Sequence, residues 1–399
     1  MPEAYRTPAP TVSEPRWEVM MARAVVLGAG MVGSLIAEDL AADFDVTLVD
    51  RSEAALQRAK ARIGDRLTTS VADLSDPAAI AGFAGSADVV CGALASHLGY
   101  GALRAVLTTG TPYCDISFMP EDAWTLDALA KEHGTTAVVD CGVAPGMSNL
   151  LSGWGVARLE EARALTIRVG GLPVERTMPF QYKAGFAPAD VIEEYTRPAR
   201  LVENGTLVVR EALTALEIIE LPHVGSVETF NTDGLRSLAY TLKVPNMREQ
   251  TLRWPGHVAL MHAFREAGLF SKEPVTVGGV TVRPLDVTSA VLFPKWTYED
   301  GEADLTVMRV EVSGLAGGKP TTLTWDLFDV YDPVGRNRSM SRTTAFPCAT
   351  VARMLVSGAI AGPGVLVPEQ LGAMPGVPEA ILAAMQARGV RYQETVTFS

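Results

Sequence analysis

A doubly wound, Rossmann-type α/β fold with a second α+β domain is predicted for this chain by three observations. It opens on a strand, glycine turn, helix and second strand; apolar runs and helical stretches then alternate as far as about Asp140; and beyond Met147 the alternation stops.

The opening unit comes first. Ala24–Leu27 is a short apolar run, followed by Gly28-Ala29-Gly30-Met31-Val32-Gly33 and a helical pattern through Leu40. Val46–Val49 forms the next run and ends in Asp50, about twenty positions past the glycines. Gly28 permits the tight turn, Gly30 lets backbone approach a pyrophosphate, and Gly33 allows helix to pack closely on strand. The amides that start the helix then face phosphate, so this segment is expected to hold a dinucleotide. Asp50 can accept from a ribose 2′-hydroxyl and repels a 2′-phosphate, which favours NAD. Arg51 follows directly and can stack on adenine or receive a phosphate, which keeps NADP open.

Further strands are expected at Ala87–Cys91, Pro112–Asp115 and Thr136–Asp140, with a helix from about Glu121 to His133. Regular alternation implies a parallel sheet whose ligands gather at the carboxyl ends of its strands. Those ends are Ala95-Ser96-His97, Asp115–Ser117 and Asp140–Pro145. Ala95, Ser96 and Pro145 are therefore expected on the cofactor, with the Pro145-Gly146 turn near its nicotinamide end.

In the second half Ala164–Val169, Thr206–Arg210 and Gly279–Arg283 look like strands, and Val258–Ala267 looks helical. Thr343–Gly358 has helical spacing and is expected to return to the nucleotide domain. The expected division is a flexible tail over 1–20, a dinucleotide domain over 21–145, a substrate and dimerisation domain over 146–340, and a returning segment over 341–399.

Composition limits the rest. The 399 residues, 48% hydrophobic and 20% charged, suit two globular domains. The formal charge of −12 argues against a nucleic-acid partner. No apolar run approaches the roughly 18 residues of a membrane span, and residues 1–20 lack a signal-peptide core. Cys91, Cys114, Cys141 and Cys348 show neither CxxC nor zinc-finger spacing, so no metal site is expected. They read as small buried groups in a reducing compartment, the cytoplasm. Nothing in the sequence offers Cys141 an activating partner.

Dense stretches of glycine, proline, charge and aromatics remain: Gly170–Pro173, Pro179–Lys183, Glu193–Pro198, Glu228–Arg236 and Arg253–His257. The phrases AVVDCGVAPGMSNLLSG, VGGLP, FAPADVIEEYTRPARLVENG, ETFNTDGLRSL and LRWPGH, in this order, resemble the saccharopine dehydrogenase superfamily, nearest its lysine 6-dehydrogenase branch. The resemblance runs from about Arg23 to the end. It implies a Rossmann-type domain, a second domain carrying the substrate pocket and homodimer contacts, and hydride exchange at a carbon bearing nitrogen. In the lysine 6-dehydrogenase branch the ε-amine of lysine is oxidised and released as ammonia. Relatives instead join an amine to a carbonyl compound, as saccharopine-type or carboxypolyamine-forming reductases. A non-catalytic dinucleotide-binding regulator is the alternative of another class.

Oxidation needs a neutral amine, yet a lysine side chain has a pKa of about 10.4, so its deprotonation at pH 7 costs roughly 4 to 5 kcal/mol. A base is therefore expected among Asp115, Asp140 and His257. A structural cap is the competing role for Asp115, and a core histidine for His257. A substrate carboxylate calls for a guanidinium, with Arg236 and Arg253 the candidates and Arg200 a further cation nearby. Tyr182, Lys183, Thr232 and Asp233 complete the expected substrate set.

Overall fold

The computed structural model describes residues 21–185 and 188–398; the expected tail over 1–20 lies outside the described residues. A seven-stranded, wholly parallel sheet runs in the order Gly364–Leu366, Thr136–Val138, Tyr113–Asp115, Val89–Gly92, Arg23–Leu27, Asp45–Asp50, Leu67–Val71. The strand order reverses between Arg23–Leu27 and Val89–Gly92, and the crevice at that switch point is where such sheets bind ligands. Val25, Val26, Leu27, Val89, Val90 and Cys91 are all buried, as strands covered on both faces require.

Both edge strands escaped the sequence reading, one because it is polar and one because it is short. Leu67–Val71 reads LTTSV and is half exposed, while Gly364–Leu366 is three residues long. Edge strands need little apolar sequence because a neighbour covers only one of their sides. The single helix expected from Glu121 to His133 is instead a 3₁₀ turn, Ala123–Leu126, running into a short α-helix, Asp127–Glu132. Asp122 accepts from the Trp124 amide at 2.9 Å and starts that turn within the expected helix.

The second sheet has nine strands and is mixed. Its longest members, Glu161–Pro173, Asp304–Ala316 and Lys319–Val330, lie side by side and antiparallel. Asn246–Arg253 pairs in parallel with Glu161–Pro173 and antiparallel with Gly225–Asn231. Lys319–Val330 buries alternate residues, Leu323, Trp325 and Leu327 among them, the period of a sheet covered on one face.

The helix Ser339–Val356 joins the two halves. Ala345, Cys348, Ala349 and Ala352 are fully buried, and one continuous apolar core takes in Leu48 of the first sheet and Val310 of the second. Arg353 on this helix pairs with Asp39 and Asp43, near the end of the helix Met31–Leu40, at 2.5 and 2.6 Å. Cys348 brings its Sγ within 3.7 Å of that of Cys114, which is itself 3.6 Å from that of Cys91. All four cysteines are free and buried. No helix among the described residues is long and apolar enough to cross a membrane.

Candidate active site

A cavity of about 600 Å³ runs from the glycine turn into the second domain. The turn itself shows which glycines serve the fold and which serve a ligand. Gly28 has φ +104°, and a Cβ there would lie 2.3 Å from the Ala93 carbonyl oxygen. At Gly33 a Cβ would lie 2.0 Å from the Gly28 carbonyl oxygen. At Gly30 a Cβ would meet nothing within 4 Å, although the residue caps the helix Met31–Leu40 and lines the cavity. The space kept clear beside free helix-start amides fits a pyrophosphate.

Asp50 accepts from the Ala29 amide at Oδ2 and the Ser52 amide at Oδ1, both at 2.7 Å. These bonds fix the carboxylate on the cavity wall at the end of the second strand. Arg51 lines the wall beside it with an exposed side chain. Met31, Val32 and Pro145 also line the cavity. Ala29 and Ser96 do not. Ala29 serves Asp50 through its amide, and the Ser96 hydroxyl donates to Asp190 of the second domain at 2.7 Å, beside the lining residue Ala95.

At the far end the strand Asn246–Arg253 supplies the wall. Glu249, Thr251 and Arg253 alternate along it and therefore share one face, with the outer two Cα atoms about 13 Å apart. Arg253 is 2% exposed, stacks 4.5 Å from the Tyr182 ring centroid and pairs with Glu194. Its Nε donates to the Tyr195 hydroxyl at 3.3 Å. That hydroxyl donates in turn to His257 Nε2 at 2.9 Å, because Nδ1 of the same ring donates to the Phe180 carbonyl at 2.7 Å. The relay holds the guanidinium plane in one orientation, as recognition of a carboxylate requires.

This arrangement corrects the expectation for His257. The ring is fully buried, does not line the cavity, and is held neutral by burial and by the Arg253 charge, which push its pKa down to about 3. It orients Tyr195 and is not placed to exchange a proton with a bound substrate. Asp115 is likewise wholly buried and off the cavity wall. Burial, and then the neighbouring Asp140 charge, raise its pKa to about 8. It accepts from the Tyr113 hydroxyl at 3.2 Å and the Asp140 amide at 3.3 Å, behind the wall.

Asp140 is the member of the expected trio that does line the cavity, and its carboxylate is bound at 3.3 Å through both oxygens by Arg236. Arg236 also donates to the Met119 carbonyl at 2.8 Å and lies off the cavity wall, so it serves Asp140. Lys183 is turned away too, paired with Glu302 at 2.5 Å. Tyr182, Thr232 and Asp233 line the cavity as expected. Asp233, however, is neutralised by a two-pronged contact from Arg200 at 2.8 Å.

The sequence reading missed Glu194, Glu249 and Thr251. Glu194 sits inside a stretch marked as site-like. The E-x-T-x-R alternation of residues 249–253 was the available signal for the other two, a polar face where a buried strand expects an apolar one.

The comparisons with known proteins follow the same two-part division. Residues 24–138 match the saccharopine dehydrogenase NADP binding domain, and residues 142–390 match the saccharopine dehydrogenase C-terminal domain. The chain is 23% identical to a carboxyaminopropylagmatine dehydrogenase from Synechocystis sp., over 94% of this chain and 98% of that protein. It is 22% identical to a saccharopine dehydrogenase (NADP+, L-glutamate-forming) from Schizosaccharomyces pombe, over 74% of this chain and 81% of the relative. A solved apo saccharopine dehydrogenase (L-Glu forming) from Saccharomyces cerevisiae shares the fold, with a TM-score of 0.78, 19% identity and coverage of 94% of this chain and all of that one. With a glycine turn shaped for a dinucleotide and family domains matched along both halves, the chain belongs to the saccharopine dehydrogenase family and is an NAD(P)-dependent oxidoreductase.

Proposed function

We propose that the chain exchanges hydride between NAD(P) and a carbon–nitrogen bond of an amino-acid-like substrate, with oxidation of the L-lysine ε-amine as the leading reaction. The observation that carries this reading is the two-ended cavity, a dinucleotide turn at one end and the stacked, oriented Arg253 at the other. NAD(P) supplies the hydride acceptor when bound. The chain's residues anchor a carboxylate at Arg253, place Asp140 on the wall nearest the Gly142–Pro145 turn, and bury the whole beneath the second domain.

The balance of charge favours a substrate with one acid group. In the second domain the wall carries Asp190, Glu193, Glu194, Asp233 and Glu249 against Arg197 and Arg253. A product with two or three carboxylates meets too few cations there. The relatives' names support a second reading, a reductase that joins an amine to a carbonyl compound. Asp50 supports NAD over NADP, because its fixed carboxylate faces the ribose position and repels a 2′-phosphate.

Absorbance at 340 nm with L-lysine at alkaline pH, with NAD and NADP in parallel, tests the leading reaction. Reduction of NAD with release of ammonia is the expected result. A silent trace, with NAD(P)H oxidation on mixing an amine and an oxo acid, transfers the assignment to the condensing reductases.

A further inference from the structure

Glu249 is 4% exposed and stands on the cavity wall, yet among the described residues no cation pairs with it. Of the other second-domain acids on the wall, Glu194 is paired with Arg253, Asp233 with Arg200, and Glu193 with Arg197 and Lys272, while the half-buried Asp190 accepts from the Ser96 hydroxyl. Its Oε2 accepts from the Thr232 hydroxyl at 2.5 Å and the Gly234 amide at 3.1 Å, while no described group donates to Oε1. Thr232 is itself held by the Thr251 hydroxyl at 2.8 Å. The turn is shaped around this carboxyl, since a Cβ at Gly234 would fall 2.3 Å from its carbon. Burial without a counter-charge is costly for the ionised carboxylate and favours its protonated form, and a cation able to take the proton's place can reach Oε1 from the cavity.

We propose that Glu249 seats a cationic nitrogen of the substrate, an ammonium or guanidinium, while Arg253 at the other end of the strand takes the carboxylate. This rests on the reading of the cavity as a substrate site for carbon–nitrogen chemistry, and it narrows the substrate class to monoacids or amines with a basic nitrogen at the chain end remote from any α-carbon, the nitrogen that L-norleucine lacks. Thr251, between the two, lines the wall along the connecting chain, its hydroxyl donating to Thr232.

Binding of such a cation is coupled to a proton. Burial, with the charges of Glu194 and Asp233, pushes the Glu249 pKa up to about 8, against the hydrogen bonds from Thr232 and Gly234. The charged groups nearest it are Glu194 from the helix Pro188–Thr196, Asp233 from the turn with its partner Arg200 on the strand Ala199–Glu203, and Arg253 from its own strand. A cation arriving below pH 8 displaces that proton, so its affinity rises with pH up to about 8 and then levels.

The test is calorimetric titration of the full chain saturated with NADH, using L-lysine, agmatine and L-norleucine between pH 6.5 and 9. L-lysine or agmatine is expected to bind at least tenfold more tightly than L-norleucine, with the pH trend above. Glu249→Gln is expected to erase both the difference and the trend while leaving NADH affinity and the melting temperature in place. Gly234→Ala, whose Cβ displaces the carboxyl, provides a second variant with the same expected loss if Glu249→Gln does not fold. Equal binding of L-lysine, agmatine and L-norleucine by the wild-type chain overturns the proposal and leaves the oxidoreductase reading standing. Glu249-dependent cation binding without turnover of any carbon–nitrogen substrate upholds the proposal and removes the proposed reaction. Absence of binding by all three probes overturns both.

Discussion

The two ends of the cavity are built by different means. The dinucleotide end is made of main chain, with a turn whose glycines keep space clear and a carboxylate fixed by two amides. The end proposed to take substrate is made of side chains tied in pairs, Arg253 to Glu194, Arg200 to Asp233 and Arg236 to Asp140, each pair drawn from distant parts of the sequence. A site made of backbone is specified by residues with special conformations at fixed spacing. A site made of paired charges is specified by which partners meet, and only the fold decides that.

The largest expected effect lies at the paired end. Arg253→Ala leaves Glu194 without its counter-charge beside Tyr182, and removing one partner of a buried pair costs about 3–5 kcal/mol. Its melting temperature and urea midpoint are expected to fall sharply, and kcat/KM about a hundredfold or more. A wild-type melting curve would break the claim that this end is held by its charges.

At the backbone end the glycines separate the roles of fold and ligand. Gly33→Ala is expected to destabilise by about 1–3 kcal/mol, because its Cβ overlaps the Gly28 carbonyl. Gly30→Ala is expected to melt like the wild type and to lose NADH affinity, read by nucleotide fluorescence. If Gly30→Ala binds NADH normally, the cleared space is not the pyrophosphate site.

Asp50→Ala removes the fixed acceptor and is expected to weaken NAD by about tenfold while narrowing its advantage over NADP. Unchanged selectivity in parallel binding titrations would count against the ribose contact.

The effect that is smallest near neutrality is a slope. His257 titrates near 3 in the fold and near 6.5 when unfolded, so the unfolded chain binds one more proton between those values. Stability is therefore whole above about pH 6.5 and is lost as pH falls, approaching about 1.4 kcal/mol per pH unit. His257→Gln is expected to remove that component from urea midpoints measured between pH 7 and 4.5, without shifting the alkaline limb of the rate profile.

The sequence was legible where local rules govern. The glycine turn, Asp50, the switch to an α+β domain and the late helix were all visible before any coordinates, because each depends on periodicity or backbone conformation. The edge strand Leu67–Val71 was hidden because it needs little apolar surface. His257 read as an acid–base group because titrating near neutrality is a property of free imidazole, and burial cancels it. Lys183 and Arg236 read as substrate cations, while Glu302 and Asp140 take them up. Glu249 was overlooked because a lone glutamate in a strand looks like a solvated face until the fold covers it.

The helix Ser339–Val356 and the strand Gly364–Leu366 carry a consequence for how the chain is made. The sheet that begins at Arg23 acquires its last edge and the cover over Cys91 and Cys114 from residues near the other end of the polypeptide. On the ribosome the strands between Arg23 and Val138 therefore wait, their apolar face open, until residues 339–366 have emerged. A stop codon ahead of Ser339 would remove more than a tail: it would leave the nucleotide domain unfinished, a form for proteases and chaperones to handle.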